Sequence, residues 1–282
     1  MSWRADFDWA SPEGDPSSDL PSAAVQAFAS SMPVRYGVLF DPRAIRRHAA
    51  IAHRRGKRPA NVEVWRSLGD GASALCVVAD DRPGLLSAIA AALVSHKLDV
   101  ITALVFSRPT EDGDLEAVDF LWVHRSTSSD TADIGPDEAH SVGEVLSAIL
   151  AGTIAIEEIA SRPAPSSTPT DPRVDVRFDP VDEDGRAVLL VEAPDRPGML
   201  LTITRELFQH GAQIARSLVR TADGRAYNRF GLSEFSGQTL SAERREQIRA
   251  AVVAVLAFGV DAEASPVTDA APIDESGGIA HR

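Results

Sequence analysis

The sequence contains one hexapeptide twice, as Asp81-Arg-Pro-Gly-Leu-Leu86 and, 114 residues further on, as Asp195-Arg-Pro-Gly-Met-Leu200. The similarity extends beyond the turn at the same offset, where Ile89, Leu93 and Val94 match Ile203, Leu207 and Phe208. This period is too long for the unit of a solenoid. The sequence therefore predicts two copies of a small domain, each with a core of its own.

Both copies predict the same order of elements. The predicted strands lie at 74–79, 99–107 and 117–124 in the first copy and at 187–191, 213–221 and 226–234 in the second. Pro83 and Pro197 suit the first turn of the helix that follows the hexapeptide. A second helix is expected at 137–160 and from Ser241 onward, and the alternating segment 173–178 is expected to complete the first copy as an edge strand.

The resulting order, β-α-β-β-α-β, predicts an α+β fold with two ferredoxin-like sandwiches in tandem after an N-terminal helical extension. Such a sandwich carries both helices on one face of a four-stranded antiparallel sheet. Residues 120–123, Phe-Leu-Trp-Val, are apolar on both faces of their strand. We therefore expect the helix-free face to be buried against another copy or another chain, which favours a homo-oligomer.

Changes in composition predict the division of the chain. We expect disordered tails at 1–31 and 263–282, a basic helical linker at 32–60, a first domain at 61–180 and a second domain at 181–262.

Composition and charge limit the classes of function. The 282 residues are 44% hydrophobic and 24% charged, with a net charge of −13, which is typical of a globular protein and disfavours a nucleic-acid partner. No apolar run approaches the ~18 residues that a membrane span needs, and the acidic N-terminus lacks the apolar stretch of a secretory signal. We expect a cytoplasmic protein with no membrane partner. Cys76, the only cysteine, lies in an apolar stretch and predicts a buried thiol.

One segment departs from this acidic balance. Seven cations and no carboxylate lie between Arg43 and Arg58. The segment is predicted to be a solvated helix with Ala44, Ile45, Ala49 and Ala52 packed inward, or else a site for a phosphate or an acidic protein partner.

The repeated turn, the Ile-x-x-x-Leu stripe after it and the next strand resemble the ACT domain, a small ferredoxin-like ligand-binding module. The tandem arrangement resembles the C-terminal ACT–ACT region of the bifunctional uridylyltransferase/uridylyl-removing enzymes, which modify the nitrogen-regulatory PII protein. The similarity covers about 32–262 and includes Met32-Pro-Val-Arg-Tyr36 and Arg173-Val-Asp-Val176. The resemblance implies a regulatory role in nitrogen metabolism, with glutamine as the first candidate ligand.

Catalytic chemistry is not predicted. Those enzymes carry a nucleotidyltransferase domain with paired metal-binding aspartates and a His-Asp phosphohydrolase domain, and neither signature occurs in the sequence. Asp6-Phe-Asp8 and Asp182-Glu-Asp184 have the spacing of paired carboxylates, but they are expected to lie in a tail and a turn. His48 and His53 would project about 140° apart on a helix, which does not suit a shared metal. We expect no catalytic residue, no metal and no cofactor.

The glycines of the repeated turn mark the candidate binding site. Gly84 and Gly198 open helices whose first N–H groups lack an intrahelical partner, so these N–H groups and the helix dipole can receive a carboxylate. Asp81 and Asp195 offer acceptors for an ammonium group. An amino-acid head group would match this set.

The start of the next strand is expected to complete each site. By the resemblance, Asp99 and Gln213 stand where ACT domains often carry a ligand-contacting Asn. We expect Asp99 to join Asp81 in the first copy, whereas Arg216 in the second copy would bind a second carboxylate or block the groove. The candidate ligand-binding residues are Asp80, Asp81, Arg82, Pro83, Gly84, Leu85, Asp99, Val100, Asp195, Arg196, Pro197, Gly198, Met199, Gln213, Ile214 and Arg216.

The sequence thus predicts a non-enzymatic regulatory protein that binds an amino acid between ACT modules. The alternatives are a protein-interaction or oligomerisation module in which the turns only cap helices, with the Arg43–Arg58 helix as a docking surface, and a regulatory subunit of a split PII-modifying enzyme.

Overall fold

A computed structural model describes residues 20–69, 71–126, 132–160 and 173–258. The helices are α1 (Ser22–Ser31), α2 (Val34–Leu39), α3 (Pro42–Arg55), α4 (Leu85–Ser95), α5 (Pro136–Leu150), α6 (Ile156–Ala160), α7 (Met199–Gln209) and α8 (Ala242–Phe258). The strands are β1 (Ala60–Gly69), β2 (Ala72–Asp80), β3 (Leu98–Leu104), β4 (Ser107–Pro109), β5 (Leu115–Arg125), β6 (Asp175–Asp179), β7 (Ala187–Pro194), β8 (Ala212–Ala222) and β9 (Arg225–Glu234).

Within these residues the strands form one antiparallel sheet in the order β1-β2-β5-β3-β8-β9-β7-β6, with β4 added alongside β5. The first half, β1-β2-β5-β3, and the second half, β8-β9-β7-β6, have the same arrangement. They join where β3 pairs with β8, from Thr102 opposite Arg220 to Leu104 opposite Leu218. The α+β class is confirmed, and the arrangement is compatible with tandem ferredoxin-like units.

The order of elements along the chain differs from the prediction. The strand expected at 173–178 exists as β6, but it pairs with β7 and so belongs to the second half. The fourth strand of the first half is β1. It forms a hairpin with β2, in which the pairing runs from Gly69 opposite Ala72 to Ala60 opposite Ala79. Each unit therefore runs β-β-α-β-β-α. The hairpin places the edge strand next to its partner in sequence, so little loop-closure entropy is lost.

One apolar core lies on the helical face of both halves. Helices α4 and α5 cover the first half, helices α7 and α8 cover the second, and α4 packs against α7 across the join. Leu93, Leu121 and Leu207 are fully buried there. The helix expected at 137–160 is divided into α5 and α6, because Gly152 adopts a left-handed φ of 75° between them.

The opposite face of the first half is buried by the chain itself. Helices α1 to α3 cover it, and Tyr36, Phe40 and His48 pack there in one aromatic cluster with Trp65 of β1 and Phe120 of β5. Burial of this face was predicted correctly, but its expected cover, another copy or another chain, was wrong. The homo-oligomer therefore remains a prediction without that support.

The N-terminal helices also correct the predicted tail. Residues 22–31 form α1 because Phe28 packs on this cluster, and the tails at 1–19 and 263–282 lie outside the described residues. The domain boundaries themselves remain predictions. Cys76 is fully buried, as expected.

Helix α3 has the predicted inward face. Ala44, Ala49 and Ala52 are buried, and the Asp41 carboxylate caps the helix by accepting from the Ala44 N–H at 2.8 Å. At its last turn the Arg55 guanidinium binds the Glu116 carboxylate at 3.0 Å and also the Asp80 carboxylate. Arg55 and Glu116 expose only 9% and 7% of their side chains, so this ion pair fastens α3 to β5 out of water.

Replacement of Arg55 should therefore destabilise the fold far more than replacement of its neighbour. We expect Arg55→Ala to lower the free energy of unfolding by about 2 kcal/mol, because the buried Glu116 carboxylate then keeps only Arg108, at 2.8 Å, of its two arginine partners. Arg54→Ala is the matched control. Its ion pair with Glu63 is 49% and 30% exposed, so the loss should stay below about 1 kcal/mol. Urea unfolding of both variants measures the difference, and equal losses would contradict the buried anchor.

Candidate functional site

Both repeated turns have the same backbone geometry. Gly84 has φ 82° and ψ 0°, and Gly198 has φ 75° and ψ 10°; each stands as the N-cap of its helix, α4 or α7. This left-handed conformation favours glycine, and a Cβ would be strained there. Pro83 and Pro197 consequently precede the N-cap and do not lie in the first helical turn.

The join between β3 and β8 places each turn opposite the other half of the molecule. The first crevice lies between the first turn and the start of β8, and it is a narrow, open-mouthed cleft with a cavity volume of about 30 Å³. The second crevice lies between the second turn and the start of β3, and its cavity volume is also about 30 Å³. Its lining residues include Asp195, Gly198 and Asp99, while those of the first crevice include Asp81, Gly84 and Gln213.

This crossed arrangement corrects the expected pairing of Asp81 with Asp99. The two residues lie at opposite ends of α4, whose 11 residues span about 16 Å. Asp99 instead lines the second crevice with Val100, and Gln213 and Ile214 line the first. Each crevice is thus built from both copies, and neither copy forms one alone.

Polar groups without a partner line the first crevice. The Ser87 hydroxyl, on the first turns of α4, belongs to a residue that is only 2% exposed, and no described residue binds it. The side-chain oxygen Oε1 of Gln213 is also buried and unpartnered. No hydrogen bond from the Gly84 N–H to another described residue occurs either. A buried polar group that lacks a partner is costly, so a ligand with matching groups would be stabilised here.

Two carboxyl groups lie at the base of the first crevice. Asp81 accepts a hydrogen bond from the Ser107 hydroxyl, and Asp119, on β5, accepts from the Phe106 N–H at 3.2 Å. Burial raises the pKa of Asp119 well above its ordinary value, and the neighbouring charge of Asp81 adds to this effect, whereas Arg35 opposes it. Asp119 was missed in the sequence, although a lone acid within the apolar strand Val118-Asp-Phe-Leu-Trp-Val123 is an available signal.

An aromatic side chain closes the first crevice on one side. The ring of Phe208 lies so close to Gly84 that a Cβ there would come within 2.9 Å of it. At the equivalent position of the second crevice Val94 is smaller, and a Cβ on Gly198 would stand 3.7 Å from it. Phe208 is 40% exposed and packs at 5.6 Å between ring centroids against Phe235, so the mouth of the first crevice is apolar.

The second crevice already satisfies its turn. The Gly198 N–H donates to the Asp99 carboxylate at 3.0 Å. Asp195 lies close by, where burial and the charge of Asp99 raise its pKa, while hydrogen bonds from Thr221 and the Arg196 N–H act in the opposite direction. The second crevice therefore holds two acidic side chains, one of which occupies the helix N-terminus.

The arginines of the two turns have a structural partner. Arg82 donates to the carbonyl of Leu150 at the end of α5, at 2.6 Å, and Arg196 donates to the carbonyl of Val255 in the last turn of α8, at 3.3 Å. Both line their crevices, but their guanidinium groups satisfy helix C-termini.

Four predicted site residues do not line either crevice. Asp80 binds Arg55 of α3 and is outside both crevices. Arg216 follows an irregularity in the register of β8 and points to the opposite face of the sheet, where it pairs with Asp182 and Asp184. Leu85 and Met199 line the crevices as expected, whereas Pro83 and Pro197 do not.

The described residues contain no cluster of three or more His, Cys, Asp or Glu side chains placed to hold a metal ion. No helix in the same part of the chain has the length and apolar character needed to span a bilayer.

Comparison with known proteins connects this architecture with one group of enzymes. No protein-family model matches the chain. It is 30% identical to the bifunctional uridylyltransferase/uridylyl-removing enzyme of Nitrobacter hamburgensis over 78% of its own length and 24% of that relative. The corresponding enzymes of Rhodopseudomonas palustris and Azospirillum brasilense are 28% and 25% identical, over 87% and 86% of this chain and 27% and 26% of theirs. The predicted resemblance is confirmed, and the chain spans about a quarter of the length of the relatives it matches.

The buried carboxyl of Asp119 should make stability depend on pH. Because its pKa is higher in the folded chain than in the unfolded one, its contribution to stability is complete below the unfolded value of about 3.9 and is lost as pH rises through the folded value. Asp119→Asn keeps an acceptor for the Phe106 N–H and cannot ionise. We expect the variant to exceed the wild type by about 1 kcal/mol at pH 8 and by progressively less towards pH 4. Thermal unfolding across this range measures the difference, and an advantage independent of pH would contradict the assignment.

Proposed function

We propose that this chain is a non-enzymatic regulatory protein of the tandem ACT type, which binds an amino acid in the first crevice. The observation that carries the proposal is the group of unpartnered atoms there: the Gly84 N–H, the Ser87 hydroxyl and Oε1 of Gln213. They belong to both halves of the molecule, so one ligand would contact both.

The chemistry of the first crevice suits a zwitterion. A carboxylate is favoured at the N-terminus of α4, where it would accept from the Gly84 N–H and the Ser87 hydroxyl. An ammonium group would donate to Oε1 of Gln213 and face Asp81. Each charged hydrogen bond contributes about 1.5–3 kcal/mol, so two or three would hold an amino-acid head group.

A ligand in this crevice would act on the join between the two units. The β3–β8 ladder is short, and a molecule bound to α4 on one side and to β8 on the other adds contacts across it. The ligand shifts the packing of the units only to the extent that it binds one arrangement more tightly than another. This linkage is the proposed regulatory signal.

The relatives suggest which process the signal serves. Their names describe enzymes that attach and remove uridylyl groups, and the chain matches about a quarter of their length. We assign the chain a regulatory role in nitrogen metabolism, with glutamine as the first candidate ligand and the cytoplasm as its place of action. A regulatory subunit of a split enzyme would have the same ligand and an additional catalytic partner.

A specific observation favours protein docking as a second candidate function. Arg43, Arg46 and Lys57 are exposed, and no carboxylate among the described residues is paired with them. An acidic protein could bind this side of α3. Neutralisation of the three cations would then abolish capture of the partner, and amino acids would have no effect on capture.

Binding of an amino acid is tested by calorimetry against the twenty common amino acids, followed by a comparison of two serines of α4. We expect at least one amino acid to bind, and Ser87→Ala to weaken it about fivefold by removing one hydrogen bond. Thermal stability should not fall, because no residue in the described part of the chain binds the Ser87 hydroxyl.

The matched control is Ser95→Ala, at the other end of the same helix. Its hydroxyl donates to the carbonyl of Ala92 at 2.7 Å and lies outside the first crevice, so the affinity should be unchanged. Failure of all twenty amino acids to bind, or equal weakening by both alanine variants, would refute the proposed site.

A further inference from the structure

The two crevices are equivalent by the repeat but differ at one position. Asp99 and Gln213 occupy the same place, at the second residue of β3 and of β8. In the second crevice the Asp99 carboxylate accepts from the Gly198 N–H at 3.0 Å. In the first crevice Gln213 makes no such bond to Gly84, and its Oε1 is buried without a partner.

We propose that Asp99 is an internal latch that occupies the carboxylate position of the second crevice, so that the chain binds one ligand, in the first crevice. The inference rests on the proposed function for its ligand, whereas the latch itself rests on the contact between Asp99 and Gly198. In the second turn the Asp99 carboxylate thus takes the place that the carboxylate of the ligand would take in the first turn.

Charge strengthens the latch. An incoming carboxylate would have to displace the Asp99 carboxylate from the Gly198 N–H and remain beside it, with Asp195 lining the same crevice. Like charges at this distance repel, and Asp99 is attached to the chain, so it suffers no loss of translational freedom on binding. The basic side chains near Asp195 are those of His124 and Arg196, and the Arg196 guanidinium is bound to the Val255 carbonyl.

The latch also couples the units when no ligand is present. Asp99 belongs to the first copy and Gly198 to the second, so their hydrogen bond crosses the join on the side opposite the first crevice. The chain therefore has one fixed bridge and one bridge that depends on ligand. Binding of a ligand in the first crevice would move the two units relative to each other about the Asp99–Gly198 hydrogen bond.

Calorimetric titration with L-glutamine tests the number of sites on the full chain. We expect the wild type to bind one equivalent. The Asp99→Gln variant gives the second crevice the same side chain that Gln213 supplies to the first, and we expect it to bind two equivalents. Asp99→Asn is the matched control, because its amide oxygen still accepts from the Gly198 N–H; it should keep one equivalent. The reciprocal variant Gln213→Asp should close the first crevice and reduce binding at least tenfold.

A ligand-free measurement keeps the latch testable if glutamine is not the ligand. Hydrogen exchange of the Gly198 amide should be at least tenfold faster in Asp99→Gln than in the wild type, whereas the exchange of the Gly84 amide should not change. Unchanged protection of the hydrogen-bonded amides of α4 and β3 is the check that the variants are folded.

The outcomes separate the latch from the proposed function. Two equivalents in the wild type, or unchanged Gly198 exchange in Asp99→Gln, would overturn the latch and leave amino-acid binding intact. One equivalent in Asp99→Gln and none in the wild type would support the latch and refute the first crevice as the site. Absence of glutamine binding in every variant, with faster Gly198 exchange in Asp99→Gln, would support the latch and count against glutamine as the ligand.

Discussion

The antiparallel pairing of β3 with β8 is the constraint on which the rest of the structure depends. It is short, yet it turns two half-sheets into one and places α4 beside α7. Because strands and helices of both copies are related by the repeat, the pairing generates two crevices at once. Each contains the glycine turn of one copy and the strand start of the other. A single copy contains half of each crevice, so both copies are needed to form either one.

Much of the fold could be predicted from the sequence, since the hexapeptide and its offset identify the two copies and the α+β class. The pairing of β6 and the place of β1 could not, because periodicity locates a strand without showing its partner. The N-terminal cover of the first half was missed for a similar reason. Residues 120–123 indicate that both faces are buried, but they carry no information on whether Tyr36 and Phe40 or another chain buries them.

The same limit applies to the candidate site, where the sequence indicates individual residues but not which of them lie together. Apart from Pro83 and Pro197, the predicted residues of the two turns line the crevices, as do Asp99 and Gln213, yet the sequence paired Asp81 with Asp99 within one copy. Helix geometry argues against that pairing, since α4 separates the two residues by about 16 Å. Arg216 was misplaced because a register irregularity in β8 turns its side chain to the other face, and sequence alternation does not reveal such an irregularity. Ser87, Asp119 and Phe208 line the site only through the folded arrangement.

The central claim is that each turn meets the strand of the other copy, and the amide spectrum of the glycines tests it most directly. In a comparison of the wild type with Asp99→Asn by NMR, the account predicts a large change in the Gly198 amide proton shift, since the charged acceptor on it is replaced by a neutral one. Gly84, in the same copy as Asp99, should keep its shift. A change at Gly84 in place of Gly198, or at neither glycine, would contradict the crossed architecture.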